Sequence, residues 1–148
     1  MTKGDMKRLF LAALVASVGV TGAYAQSDET GPIATPDGTL QFTHGGHDFV
    51  ATLNGSELDH FEANTLTHFD DLAETSDTVP RLLVLTESGP VLYDFRAKPP
   101  LVARSGRRMS VTRVFWQGED VVMQGSQGWF RFKNGVLTKL QSTTTIYH

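Results

Sequence analysis

The sequence has no cysteine among its 148 residues. This absence excludes a disulfide framework, a thiolate nucleophile and the lipid-modified cysteine of a lipoprotein anchor. The G-x-S-x-G turn that α/β-hydrolases place between a strand and a helix is also missing. Glycoside cleavage needs paired carboxylates across a cleft, whereas the acidic residues here cluster in loops. We therefore expect a protein that is not an enzyme and that needs no cofactor.

Positive charge is absent from a long part of the chain. Residues 26–80 contain eleven Asp and Glu and no Lys or Arg, whereas residues 81–148 contain ten Lys and Arg and four acids. Two interpretations follow: the two halves neutralise each other side by side, or one half presents a single-signed face to a charged partner. We favour the first, except for Arg104-Ser105-Gly106-Arg107-Arg108, where three close arginines need an anionic neighbour. No nucleic-acid recognition motif is present, and the whole chain is acidic.

Long apolar runs are scarce, and the longest lies near the N-terminus. Lys3, Lys7 and Arg8 precede the apolar stretch 9–20, and Ala23-Tyr24-Ala25 has the small-x-small pattern of a cleavage site. This order is typical of a secretory signal peptide, and the stretch is shorter than the roughly 20 residues of a membrane-spanning helix. We predict a signal peptide at 1–25, a periplasmic location and no membrane insertion after cleavage. Residues 26–38 are predicted to be a flexible leader, and 39–148 a single β domain.

A repeated phrase indicates the fold class. The same order of elements recurs at 49–61, 83–95 and 121–132, which are spaced 34 and then 38 residues apart. Each copy has an apolar run, a turn that contains Ser, Asn or Gly, and a strand that ends in an aromatic residue. Glycine and Ser or Asn at the turns are the residues that hairpins use. The pattern predicts an all-β fold, either an antiparallel β-meander or a propeller-like array of about three hairpin repeats. Only residues 64–79 are unlike a strand, and they are predicted to hold a short helical turn or an acidic loop.

The histidines form the best candidate metal site. His44-Gly45-Gly46-His47-Asp48, with His60 or His68, offers imidazole and carboxylate ligands of the kind that zinc binds. However, Gly45-Gly46 is explained more simply as a hairpin turn between two strands. We therefore predict no metal site.

A small exported β domain with few reactive groups is typical of a binding protein, because rigid scaffolds carry binding residues on their loops. The cleaved leader, the small β-rich domain and the turns Glu87-Ser88-Gly89-Pro90 and Ser105-Gly106-Arg107 resemble periplasmic immunity proteins that neutralise peptidoglycan amidases delivered by type VI secretion. The resemblance implies that a hairpin loop enters the active site of the amidase, with Ser88 or Ser105 bonded to its catalytic histidine. The partner-binding residues implied are Ser88, Gly89, Ser105, Gly106, Arg107 and Trp116.

Trp116 is expected to be an exposed aromatic residue at the rim of this interface, whereas Tyr93 and Trp129 are expected in the core or on a sheet face. Two alternative functions remain open. One is a periplasmic small-ligand or metal-binding protein, and the other is an envelope structural or interaction protein whose sheet edges pair with a partner.

Overall fold

The computed structural model describes residues 23–24, 31–72 and 77–140, so most of the predicted signal peptide lies outside the described residues. The described residues contain no helix. Their strands are β1 (Ala23–Tyr24), β2 (Ile33–Thr35), β3 (Gly38–Gly45), β4 (Asp48–Leu53), β5 (Ser56–Glu62), β6 (His68–Asp70), β7 (Arg81–Thr86), β8 (Gly89–Asp94), β9 (Leu101–Arg104), β10 (Arg113–Gln117), β11 (Asp120–Gly125), β12 (Gly128–Lys133) and β13 (Val136–Lys139).

The strands form three antiparallel sheets in chain order. Sheet 1 contains β2-β3-β4-β5, sheet 2 contains β6-β7-β8-β9, and sheet 3 contains β10-β11-β12-β13 with β1 paired to the outside of β10. Within each sheet, the strands from β2 to β13 pair with the next strand along the chain, which is the connectivity of a meander of hairpins; β1 is the exception. The all-β prediction is confirmed.

The sheets differ in how much of each strand is buried, as their sequences indicate. β7 and β8 are buried along almost their whole length, because sheet 2 lies between the other two sheets. β12 alternates between buried and exposed positions, as expected for a sheet with one face on the core. The middle sheet is therefore apolar on both faces, and each outer sheet has one free face.

Two hydrophobic clusters hold the sheets together. The first joins sheets 1 and 2 through residues such as Phe42, Phe49 and Tyr93, and the second joins sheets 2 and 3 through residues such as Leu83 and Phe130. The two clusters share no residue, so sheet 2 contributes one face to each.

The spacing of the repeat differs from the predicted spacing. The second and third strands of sheet 3, β11 and β12, each begin 39 residues after β7 and β8, and the turn glycines Gly89 and Gly128 both have positive φ (119° and 116°). The segment predicted as the first copy, 49–61, is instead β4 and β5, the third and fourth strands of sheet 1. It is displaced by one strand, because every hairpin in a meander has a similar pattern.

Two segments have more strand structure than predicted. Residues 31–38 were predicted within the flexible leader, but Ile33 packs against the first cluster and the carbonyl of Ala34 accepts a hydrogen bond from the Val79 amide (2.8 Å). Within 64–79, no helical turn occurs in the described part. Residues 68–70 instead form edge strand β6, in which Phe69 is fully buried.

Ion pairs connect the acidic and basic parts of the chain. Asp37 pairs with Lys98, Asp59 with Arg104, and Asp71 with Arg81 (2.9 Å). Each pair joins an acid from residues 26–80 to a base from residues 81–148. This arrangement agrees with the interpretation that the two halves neutralise each other.

Candidate binding surface at the turn end

One end of the molecule collects the turns that follow the second strand of each sheet. We call this surface the turn end; it consists of the turns 46–47, 87–88 and 126–127 and the connecting loops 63–67 and 105–112. The His47 carbonyl accepts a hydrogen bond from the Ala63 amide (3.0 Å), and the Glu62 carbonyl accepts one from the Glu87 amide (2.8 Å). These bonds link the first turn, the first loop and the second turn into a continuous backbone network.

The second connecting loop joins sheets 2 and 3 in the same way. The Ser105 amide donates to the Pro90 carbonyl (3.0 Å), and Arg108 Nε donates to the Glu87 carbonyl (2.9 Å). On the other side, the Ser126 amide donates to Ser110 Oγ (3.2 Å). The loop is therefore held at both of its ends.

Two glycines allow this loop to approach the hairpins closely. A methyl group on Gly89, whose φ is 119°, would overlap the Arg107 carbonyl oxygen, and one on Gly125 would overlap the Ser110 carbonyl oxygen. Only a residue without a side chain fits at either position. Gly89 is thus buried and acts by letting the loop approach, not by offering its surface.

The structure brings most of the predicted partner-binding residues together at the turn end. Ser88, Gly106 and Arg107 are exposed there, and Ser105 is half-buried because its Oγ accepts a hydrogen bond from the Arg107 amide (3.4 Å). Of the two serines, Ser88 offers the more accessible hydroxyl.

Trp116 does not belong to this group. It lies at the opposite end of sheet 3, next to the β10–β11 turn, and pairs with Val121. Its ring is half-buried against the second cluster, and the guanidinium carbon of Arg81 lies 4.9 Å from the ring centroid. The expectation of an exposed rim aromatic is therefore wrong, because Arg81 of the adjacent sheet 2 packs on this tryptophan.

The arginines of the loop differ in their partners. Arg104 pairs with the buried Asp59, which supplies the anionic neighbour that the sequence required. Arg107 Nη2 donates to Gln127 Oε1 (3.3 Å), and its guanidinium carbon lies 5.0 Å from the Phe130 ring centroid. Among the described residues, neither Arg107 nor Arg108 has a carboxylate partner. The turn end thus presents two positive charges that the described part of the fold does not neutralise.

A buried polar group lies beneath this surface, between sheets 1 and 2. Tyr93 Oη donates to Asp59 Oδ2 (2.7 Å), and Asp59 Oδ1 accepts from Arg104. Burial raises the pKa of Tyr93 far above its ordinary value of 10.0, and the hydrogen bond to the Asp59 carboxylate raises this pKa further. The tyrosine therefore stays neutral and fixes the carboxylate that holds Arg104.

The histidines have different environments. His68 is buried and its Nδ1 lies 2.6 Å from Asp70 Oδ1, while His44 stacks on Phe49 (5.0 Å between ring centroids). Within residues 31–72 and 77–140, no three His, Cys, Asp or Glu side chains are grouped so that they could hold a metal ion. In the same part of the chain, no helix has the length and apolar character needed to span a membrane.

The sequence did not indicate three further residues of the turn end: Arg108, Ser110 and Gln127. Arg108 was visible in the arginine cluster but had no assigned role. Gln127 becomes significant only because its turn lies beside the 105–112 loop. A short sequence pattern cannot indicate contact between two segments that are about 20 residues apart in the chain.

Comparison with known proteins gives no family assignment. No protein-family model, curated protein sequence or solved structure matches the chain.

Proposed function

We propose that this protein is an exported binding protein and that its turn end is the surface that contacts a protein partner. One observation carries the proposal: the 105–112 loop is hydrogen-bonded to two hairpins and exposes Arg107 and Arg108 beside Ser88 of the 87–88 turn, and the two arginines have no carboxylate partner among the described residues. A preorganised surface loses little conformational entropy on binding. Exposed guanidinium groups form charge-assisted, often bidentate bonds with carboxylates of a partner.

The partner class that we propose is the one implied by the resemblance stated above, a peptidoglycan amidase delivered into the periplasm. The mechanism is occlusion of the active site. The tip of the β7–β8 hairpin enters the cleft, where the Ser88 hydroxyl bonds the catalytic histidine, and Arg107 and Arg108 contact acidic groups at the rim. Such an inhibitor performs no chemistry, which agrees with the expectation that this protein is not an enzyme.

The experiment measures how tightly the mature protein binds purified amidase effectors and how strongly it inhibits them. Replacing Ser88 with Trp or Arg107 with Glu should weaken the complex by about 2 kcal/mol or more, because a few central residues dominate most interfaces. Melting temperatures should change little, since both side chains are exposed.

Matched controls use the same substitutions away from the turn end. Ser56→Trp lies in the β4–β5 hairpin at the opposite end, and Arg131→Glu lies on β12; both residues are exposed. Neither control should alter inhibition. If the protein inhibits an amidase and the turn-end variants inhibit it as well as the controls do, the occlusion mechanism is wrong. If no amidase is bound, the proposed partner class is wrong.

A further inference from the structure

The two outer faces of the molecule differ in chemical character. The free face of sheet 1 carries polar side chains, including Thr43, Thr52 and Glu62, as expected for the end of a stacked array. The free face of sheet 3 instead carries the apolar residues Phe115 and Val122, which pair directly across β10 and β11. Val50 is also on the free face of sheet 1, but the larger, aromatic patch is on sheet 3, which indicates a use beyond closing the array.

The free face of sheet 3 has a groove of about 300 Å³. Its apolar wall contains Phe115, Val122, Trp129 and Leu140, and the rings of Phe115 and Trp129 lie 5.8 Å apart at an angle of 34°. Gln117, Asp120 and Arg131 supply its polar edge. A concave apolar site with a few polar groups is the usual form of a small-molecule site, and this volume lies at the lower end of the usual range.

The groove, rather than the whole face, indicates the size of the ligand. A volume of about 300 Å³ suits a small molecule, whereas a stable protein interface buries about 800 Å² of accessible surface on each partner. The groove therefore favours a small ligand over a protein.

The side chains around the groove identify the ligand class. A pyranose ring has flat faces of C–H groups, which pack on aromatic rings, and a rim of hydroxyl groups, which both donate and accept hydrogen bonds. Gln117 offers both a donor and an acceptor, Arg131 offers donors and Asp120 offers acceptors. Among the described residues, the side chains of Gln117 and Arg131 form no hydrogen bond, and Asp120 contacts Lys133 (3.7 Å). Because the Asp120 carboxylate also lines the groove and would repel an anion, an uncharged hydroxyl-rich ligand suits this edge better than an anion does.

We propose that the groove on the free face of sheet 3 binds a saccharide of one or two pyranose rings. Phe115 and Trp129 form the platform for the ring, and Gln117, Asp120 and Arg131 bond its hydroxyls. This site is separate from the turn end and does not rest on the function proposed above.

The test is calorimetric titration of the mature protein with an N-acetylglucosamine tetramer and with cellotetraose. We expect binding of at least one of them. Trp129→Ala and Arg131→Ala should each weaken binding by about tenfold or more, since one removes the stacking surface and the other a hydrogen-bond donor. Arg131 is exposed, so its variant keeps the fold even if the tryptophan variant is destabilised.

Two control variants separate this site from the rest of the surface. Thr43→Ala, on the free face of sheet 1, and Arg107→Glu, at the turn end, should leave saccharide binding unchanged. The proposal is overturned if neither saccharide binds, or if binding persists in both groove variants. It is also overturned if ATP binds the groove and the saccharides do not. A dimer in sedimentation that Trp129→Ala dissociates would overturn it as well.

Discussion

Tyr93 connects the interior of the protein to the arginine cluster on its surface. Its hydroxyl donates to Asp59, whose other carboxylate oxygen accepts from Arg104. Because Tyr93 is fully buried, the phenolate form has no water to solvate it and faces a carboxylate. The hydroxyl therefore contributes to stability only in its protonated form.

Replacing Tyr93 with Phe tests this contribution. At neutral pH, the variant should lose roughly 1–3 kcal/mol of stability, because a buried oxygen of Asp59 loses its donor. The pKa of Tyr93 is raised in the folded state, so its contribution is fully present below the ordinary value of 10.0 and decreases as the pH rises above it. Melting curves between pH 8 and pH 12 should show the wild type approaching the variant above pH 10. Parallel curves would contradict the assigned role of the hydroxyl.

Gly125 offers a second test at the level of one residue. In Gly125→Ala, the new methyl group meets the Ser110 carbonyl oxygen, so the 105–112 loop must move; we expect a loss of about 1–3 kcal/mol. Gly45 ends β3 as Gly125 ends β11, and a methyl group there meets no atom within 4 Å. Gly45→Ala is thus the matched control, and thermal unfolding of the two variants should differ clearly.

At the level of strands, three phenylalanines anchor the hairpins to the clusters. Phe61 and Phe95 belong to the first cluster and Phe132 to the second, and all three are buried. Each replacement by Ala should cost about 3–5 kcal/mol, through lost burial and the cavity left behind. Denaturant unfolding measures these losses. Melting temperatures within a degree or two of the parent protein would show that these rings do not support the core.

The strands with clear alternation and glycine turns could be predicted from the sequence. The hairpin β3–β4 was predicted at Gly45-Gly46, and the observed turn, Gly46-His47, is displaced by one residue. β6 was missed because its three residues include His68 and Asp70, which look like a loop but bond to each other beside a buried Phe69. A local sequence pattern cannot indicate that this polar pair is placed beside the core, because that depends on residues distant in the chain.

The binding surface could be predicted only in part, for a related reason. Ser88 and Ser105 were identified from their turns, but their proximity depends on the sheet order, which places loop 105–112 beside turn 87–88. Trp116 was misjudged because its exposure depends on Arg81, which lies 35 residues earlier in the chain and packs on its ring. Contacts with residues distant in the chain therefore determine both the proximity of the serines and the burial of Trp116.

At the level of the whole molecule, residues 23–24 belong to a sheet and also to the predicted signal peptide. Ala23 and Tyr24 pair with Phe115 and Val114 at the edge of sheet 3, immediately before the predicted cleavage site. Export and cleavage after Ala25 would remove β1 and leave β10 as the edge strand.

We expect mass spectrometry of the exported protein to find Gln26 as its first residue, because Ala23 and Ala25 are the small residues that signal peptidase accepts. An Ala25→Phe variant should remain unprocessed, while Gln26→Ser should be cleaved normally. An intact N-terminus on the wild-type protein in the envelope fraction would contradict the prediction.

The order of the sheets has a consequence for how the chain reaches its native state. Apart from β1, the strands of sheets 1 to 3 pair with sequence neighbours, so few long loops must close, and low contact order favours rapid folding. Among the described residues, sheet 2 is the only one of the three sheets that packs on both sides, and neither cluster can form without it. We expect the transition state for folding to contain β7 and β8. Substitutions at Leu83 should therefore slow refolding, whereas Val122→Ala on the free face of sheet 3 should mainly speed unfolding, and stopped-flow kinetics will distinguish the two.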